Sequence, residues 1–82
     1  MTVTLKYFGS LVDITQKKEE FFLLEVEESK ISLSFLKSKM EAAYEELKNA
    51  NYNIAVNQSM CSLDYTIKDQ DVIAFLPPFA GG

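Results

Sequence analysis

Gly81 and Gly82 close the sequence, and the carboxylate that Gly82 carries is the group best placed to take part in chemistry. Without Cβ atoms the two glycines can enter a channel too narrow for any other residue and adopt backbone angles closed to others. Pro77 and Pro78 lack amide donors and hold φ near one value, so they stop a strand and favour a stiff, extended exit. At about 3.3 Å per residue, the stretch from Pro77 to Gly82 reaches roughly 20 Å. That is far enough to set a carboxylate inside another protein's active site. The plain alternative is a frayed terminus, since chain ends are poorly ordered unless something ties them down.

Little else in the sequence is reactive. There is no histidine and one cysteine, which removes the usual nitrogen and sulfur metal ligands and most nucleophile and base pairings. No metal site is expected. Cys61 reads as a small buried residue, with nothing cationic beside it to favour the thiolate. Asp69 and Asp71 read as turn builders, Asn57 as a turn hydrogen-bonder, and Phe35 and Tyr44 as packing on a helix. The run Lys17-Lys18-Glu19-Glu20 is mixed in sign and reads as a solvated turn.

Composition bounds the rest. The chain has 82 residues, 48% of them hydrophobic and 24% charged, as expected of one small globular domain with one core. Short, interrupted apolar runs and an uncharged N-terminus give no membrane segment or leader. A single cysteine fits a reducing compartment, and the expected location is the cytoplasm. Net charge is −4 and arginine is absent, so nucleic acid is a poor partner and a basic protein surface a better one.

The elements that must position the tail are legible from periodicity. Residues Thr2 to Phe8 alternate, with Val3, Leu5 and Tyr7 on one face, as in a half-buried strand. Gly9 ends it, and a short helical turn from Ser10 to Thr15 points Leu11 and Ile14 inward. A second strand is expected from Phe21 to Glu27, antiparallel to the first, with Phe22, Leu24 and Val26 on one side. From Ile31 to Leu47 the period changes, and Leu33, Leu36, Met40, Ala43 and Leu47 form one helical face with Ser32 as N-cap and Ile31 stapling onto Leu36. Asn49-Ala50-Asn51 is expected to end it with left-handed asparagine. A strand holding Ile54 and Val56, a short segment around Met60 and Cys61, and a turn at Asp69-Gln70-Asp71 follow. The last strand runs from Val72 to Leu76 with Ile73 and Phe75 inward. This order implies an α+β fold of the β-grasp, ubiquitin-like kind, a mixed sheet packed on one main helix with first and last strands as parallel central neighbours. The domain is expected to span residues 1–76, with 77–82 a flexible Gly-Gly arm.

Leu5-Lys6-Tyr7-Phe8, Ala55-Val56-Asn57-Gln58, Leu63-Asp64 and the run from Ile67 through Leu76-Pro77-Pro78-Phe79-Ala80-Gly81-Gly82 resemble the small subunit of molybdopterin synthase, the MoaD family of sulfur carriers. The likeness covers essentially the whole chain. Three places depart from the family pattern. Gln70 stands where the family usually has glycine, which suggests a different turn geometry. Phe79 replaces a smaller aliphatic, which alters the fit of the arm, and Val12-Asp13 stands where an Arg-Glu pair is common.

The resemblance implies a carrier rather than a catalyst, the non-catalytic subunit of a sulfurtransferase. A partner adenylating enzyme would use ATP and Mg²⁺ to convert the Gly82 carboxylate to an acyl-adenylate, and a sulfur donor protein would replace AMP to leave a thiocarboxylate. No cofactor would be bound by this chain. The arm, with Gly81 and Gly82 at its tip, would enter the large subunit, and sulfur would pass to cyclic pyranopterin monophosphate to build the molybdopterin dithiolene. The assembly implied is a heterotetramer of two large and two small subunits. The resemblance further implies that Phe8, Met60, Leu76, Pro77, Pro78, Phe79 and Ala80 meet the partner. A sulfur carrier for thiamine biosynthesis shares the fold and Gly-Gly but generally lacks Pro-Pro. A ubiquitin-like protein modifier would use the same activated carboxylate.

Overall fold

A computed structural model describes residues 1–24 and 31–78 of the chain. In chain order its elements are β1 (Thr2–Tyr7), α1 (Leu11–Thr15), β2 (Glu19–Leu23), α2 (Leu33–Ala43), a 3-10 turn (Glu45–Asn49), β3 (Asn53–Val56), β4 (Ser59–Met60) and β5 (Val72–Leu76). The strands form one sheet in the order β2-β1-β5-β3-β4. β1 and β5 run parallel at its centre, and the other pairings are antiparallel. A central parallel pair flanked by hairpins, with one main helix over one face, is the β-grasp arrangement of ubiquitin-like domains.

Alternation decides which face is buried. Leu5 lies opposite Ile73 and Tyr7 opposite Phe75, while Ile54 and Val56 of β3 face Phe75 and Ile73 in turn. With Val3 these residues are buried on one side of the sheet. Leu33, Leu36 and Met40, three and four residues apart on α2, are buried in the same cluster. Full burial of each Leu, Ile or Phe contributes roughly 1.5–3 kcal/mol, so this one layer holds sheet and helix together. The Ser32 hydroxyl accepts the Phe35 N–H at 3.1 Å from an extended backbone, the N-cap geometry its residue type favours.

Three local expectations are corrected. The helix ends sooner than its apolar period suggests: at Tyr44 the backbone leaves helical angles (φ −126°, ψ 91°), and Leu47 reaches the core from the 3-10 turn instead. No asparagine at 49 or 51 is left-handed; that conformation is found at Gln16, Asn57, Gln58 and Gln70. In α1, Leu11 is buried and Ile14 packs half-buried against the core, as expected, and Thr15 is buried as well, its hydroxyl donating to the Lys17 carbonyl at 2.9 Å. Phe35 is exposed, its ring facing the Lys39 ammonium at 5.7 Å rather than the core.

The charged run also differs from its reading as a turn. β2 begins at Glu19, and Glu20 sits on the core side opposite Leu5. Its carboxylate accepts from the Tyr7 hydroxyl and, at 2.8 Å, from that of Tyr44, with the Lys17 ammonium 3.5 Å away. Burial pushes the Glu20 carboxyl up, but the two hydroxyls and Lys17 together outweigh it and hold it below the usual carboxylate range. Burial and the neighbouring carboxylate push the Tyr7 phenol up. Three elements are thereby tied at one polar point in the core's rim. The expected continuation of the strand through Val26 to Glu27 lies outside the described residues.

Candidate functional site

The candidate site is the exit of β5 and the sheet face beside it. Ile73 and Phe75 anchor β5 in the core, so Val72, Ala74 and Leu76 point to the opposite, outer face. β5 is bonded on both edges, to β1 and to β3. The chain therefore leaves the domain from its most firmly held strand. Beyond the last strand pair, the Phe8 N–H still donates to the Phe75 carbonyl at 3.2 Å.

Immediately after β5, Pro77 rests on Gly9. Gly9 has φ +58°, and a Cβ built there would lie 2.9 Å from the Pro77 Cγ, closer than atoms can approach. Glycine is thus needed at position 9 both for its left-handed backbone and for the room it leaves. Pro77 is half-buried at this contact and Pro78 is exposed. Phe79, Ala80, Gly81 and Gly82 lie outside the described residues. The sequence reading used Gly9 only as a strand end; its partner, 68 residues on, is set by tertiary structure alone.

Phe8, Leu76 and Met60 share the outer face. The parallel register that sets Tyr7 beside Phe75 brings Phe8 beside Leu76. Two residues back on β5, Ala74 neighbours Ala55, and Ala55 neighbours Met60. A strip of apolar side chains thus runs from the end of β1 across β5 and β3 to β4. Phe8 is 43% exposed and Met60 63%, so the two ends of the strip are open to solvent, while Ala55 between them is buried at 6%. Ala55 and Ala74, which sequence reasoning passed over, are the small residues that link the strip's ends in register. A cleft of about 420 Å³ opens next to Phe8, bordered by Gly9 and Val12, with Lys6, Lys18 and Glu19 at its polar edge.

The turn before β5 is held by Asp71. Its carboxylate accepts from the Lys68 N–H at 2.8 Å, the Asn57 amide at 2.9 Å and the Tyr65 hydroxyl at 2.9 Å. Asn57 in turn accepts the Val72 N–H at 2.9 Å. Burial pushes the Asp71 carboxyl up, but these three donors outweigh it and leave it lowered. Asp69 accepts the Thr2 N–H at 2.8 Å, so both aspartates and Asn57 build turns, as their types suggest. Gln70 between them has φ +72°. The turn thus uses a left-handed backbone of the kind glycine adopts most readily. Cys61 is half-buried rather than fully enclosed, its thiol directed to the Ser59 carbonyl at 3.5 Å. Among the described residues, no group of three or more His, Cys, Asp or Glu side chains could hold a metal ion, and no helix is long and apolar enough to cross a membrane.

Residues 5–82 match the profile of the ThiS family. The chain belongs to the ThiS family. Its fold agrees: subunit 1 of a molybdopterin converting factor, as assigned in Pyrococcus furiosus, superposes with a TM-score of 0.84 at 27% identity, over 95% of this chain and 98% of that one. Subunit 1 in the complex of subunits 1 and 2 of molybdopterin-converting factor from Helicobacter pylori gives a TM-score of 0.70 at 26% identity, covering 100% of each chain. The small archaeal modifier protein 1 of Haloferax volcanii shares the fold at a TM-score of 0.80 and 14% identity, over 95% of this chain and 98% of that one. This ThiS-family chain is a ubiquitin-like sulfur carrier of the ThiS/MoaD group.

Proposed function

We propose that this chain is the small, sulfur-carrying subunit of molybdopterin synthase, working in the cytoplasm. The observation that carries the reading is the pairing of two features at one end of the domain. The central strand β5 runs straight into Pro77-Pro78 toward Gly82, and the apolar strip of Phe8, Leu76 and Met60 lies beside that exit. The likeness to two molybdopterin converting factor subunits supports the pathway, and Pro-Pro before the tail favours it over a thiamine carrier.

A carboxylate is a poor electrophile, because its charge repels nucleophiles and oxide is a hopeless leaving group. In this reading an adenylating enzyme uses ATP, with Mg²⁺, to join AMP to the Gly82 carboxylate as the α–β phosphoanhydride bond breaks and pyrophosphate leaves. A donor protein's persulfide sulfur then forms a C–S bond as the C–OAMP bond breaks. A thiol then attacks the donor cysteine's sulfur in the resulting acyl disulfide, ending as a disulfide with that cysteine and releasing the Gly82 thiocarboxylate. The large subunit, which supplies catalytic side chains and the pterin pocket, docks on the apolar strip and receives the arm, two copies of each subunit forming the assembly. Within the arm, Phe79 and Ala80 meet the walls of the partner's channel, and Gly81 and Gly82 pass its narrowest part. The small subunit contributes sulfur and its delivery.

The purified chain is incubated with the adenylating enzyme, ATP, Mg²⁺ and a sulfur donor, then with the large subunit and cyclic pyranopterin monophosphate. Intact and peptide mass spectrometry should show Gly82 gaining the difference between one sulfur and one oxygen, and molybdopterin should follow. Deleting Gly82 should abolish both and leave thermal stability unchanged. Sulfur mapped to Cys61, or turnover by the truncated chain, rejects the carrier role. Isopeptide products on lysines without molybdopterin would point to a protein modifier instead.

A further inference from the structure

The two edges of the sheet are unlike. β4 is two residues long, and short edges are a common guard against unwanted pairing. β2 is five residues long, pairs with β1 in unbroken register, and contains neither proline nor lysine. Among the described residues no strand pairs with its other edge.

Hydrogen bonds show which groups that edge presents. The Tyr7 N–H donates to the Lys18 carbonyl, and Leu24 and Met1 exchange bonds in both directions. Antiparallel pairs alternate between bonded and non-bonded residues, so even-numbered residues of β2 turn their amides and carbonyls toward β1. Those of Glu19, Phe21 and Leu23 point away from the sheet. The same three residues carry their side chains on the outer face, where Phe21 is 73% exposed and Leu23 60%.

We infer that β2 pairs antiparallel with β2 of a second copy, centred on Phe21, to give a two-fold dimer with one continuous sheet. The strand is its own complement in that register. Glu19 lies opposite Leu23 of the second copy, Glu20 opposite Phe22, and Phe21 opposite itself, so every residue of the element is paired and all three outward amides and carbonyls are used. Facing phenylalanines are a favourable cross-strand pair. The two Glu19 carboxylates fall roughly 14 Å apart at about 3.4 Å per residue, beyond the screening length of about 8 Å at physiological salt. Glu20 keeps its tyrosine partners, which lie on the core side. Opposed side chains share a face, so both α2 helices lie on one side and both Phe8–Met60 strips remain open on the other. The interface is smaller than the standard size, so the dimer is weak and governed by concentration. This inference does not depend on which sulfur pathway the chain serves.

Sedimentation over about a hundredfold range of concentration should carry the intact chain from monomer to dimer and no further, by mass action. Phe21→Lys sets two cations against each other at the two-fold axis and should remain monomeric throughout, with an unchanged melting curve because the Phe21 side chain contributes little to the core. Register is tested by cross-linking in a Cys61→Ser background under copper phenanthroline oxidation. Paired residues of this kind lie with Cα atoms about 5.5 Å apart, inside the disulfide range of about 4.4 to 6.8 Å. The Phe21→Cys variant should therefore cross-link at least tenfold faster than Glu19→Cys or Leu23→Cys, each of which lies opposite the other rather than itself. A monomer at every concentration, growth beyond the dimer, or equal cross-linking at the three positions overturns the proposal.

Discussion

Gln70 holds a conformation its side chain does not favour. At φ +72° it sits in the left-handed region, which costs a residue with a Cβ roughly 1 kcal/mol or more. The conformation persists because its surroundings require it. The Gln70 N–H donates to the Thr2 carbonyl at 2.7 Å, and the carboxylates on either side bind the Thr2 and Lys68 amides. Replacing Gln70 with glycine should therefore stabilise the fold by about 0.5–1 kcal/mol, the relief of strain exceeding glycine's extra freedom in the unfolded chain. Thermal denaturation checks this, with an expected rise of a few degrees for a domain of this size. Unchanged or lower stability would mean the turn carries no strain. The turn itself was legible from Asp69 and Asp71, but its handedness was not, because it is held in part by Thr2 of β1, far away in the chain.

At the scale of elements, period two showed that Phe8 and Leu76 point away from Val3, Leu5, Ile73 and Phe75. It could not show that they touch a common surface, since that depends on β1 and β5 being neighbours in parallel register. Ala55 and Ala74 matter for the same reason: their value lies in whom they sit beside. A charge placed in this strip would be desolvated when a partner docks. Phe8→Glu and Leu76→Glu should each weaken binding to the proposed partner, a molybdopterin synthase large subunit, by more than tenfold, about 1.4 kcal/mol or more. Melting temperatures should stay within a few degrees, because both side chains lie outside the core. Titration calorimetry showing unchanged affinity for both variants would remove this face from the interface. The other edge of the sheet shows the limit of reading by local charge: Lys17-Lys18-Glu19-Glu20 resembles solvent-facing turn, yet Glu20 is drawn into β2 by the Tyr7 and Tyr44 hydroxyls.

For the whole molecule, three carboxylates tie distant parts of the chain together, and all three are held below their usual range. Glu20 joins β2 to β1 and Tyr44, Asp71 joins the last turn to Asn57 and Tyr65, and Glu41 joins α2 to Tyr52 through bonds from Lys37 and Tyr52. A lowered folded value means the unfolded chain takes up protons first, at about pH 4. Stability from these groups is therefore complete above that pH and lost as pH falls through the lowered values. Melting temperature should be flat from neutrality to about pH 5 and drop steeply below pH 4, as measured by circular dichroism. Combining Glu20→Gln with Asp71→Asn should lower the neutral plateau and flatten the acid limb; an unchanged limb would show that these ties do not set acid stability. By itself the sequence determined the alternation in β1 and β5, the N-cap at Ser32, the turn at Asp69 to Asp71 and the chemical character of a tail ending in Gly81-Gly82. Each depends on neighbours a few residues away. Only the tertiary structure decided where α2 breaks at Tyr44, that Pro77 rests on Gly9, that Glu20 turns to the core side, and that Phe8, Leu76 and Met60 share one strip. Those outcomes depend on contacts between residues far apart in the chain, whose free energies no local pattern of residue types records.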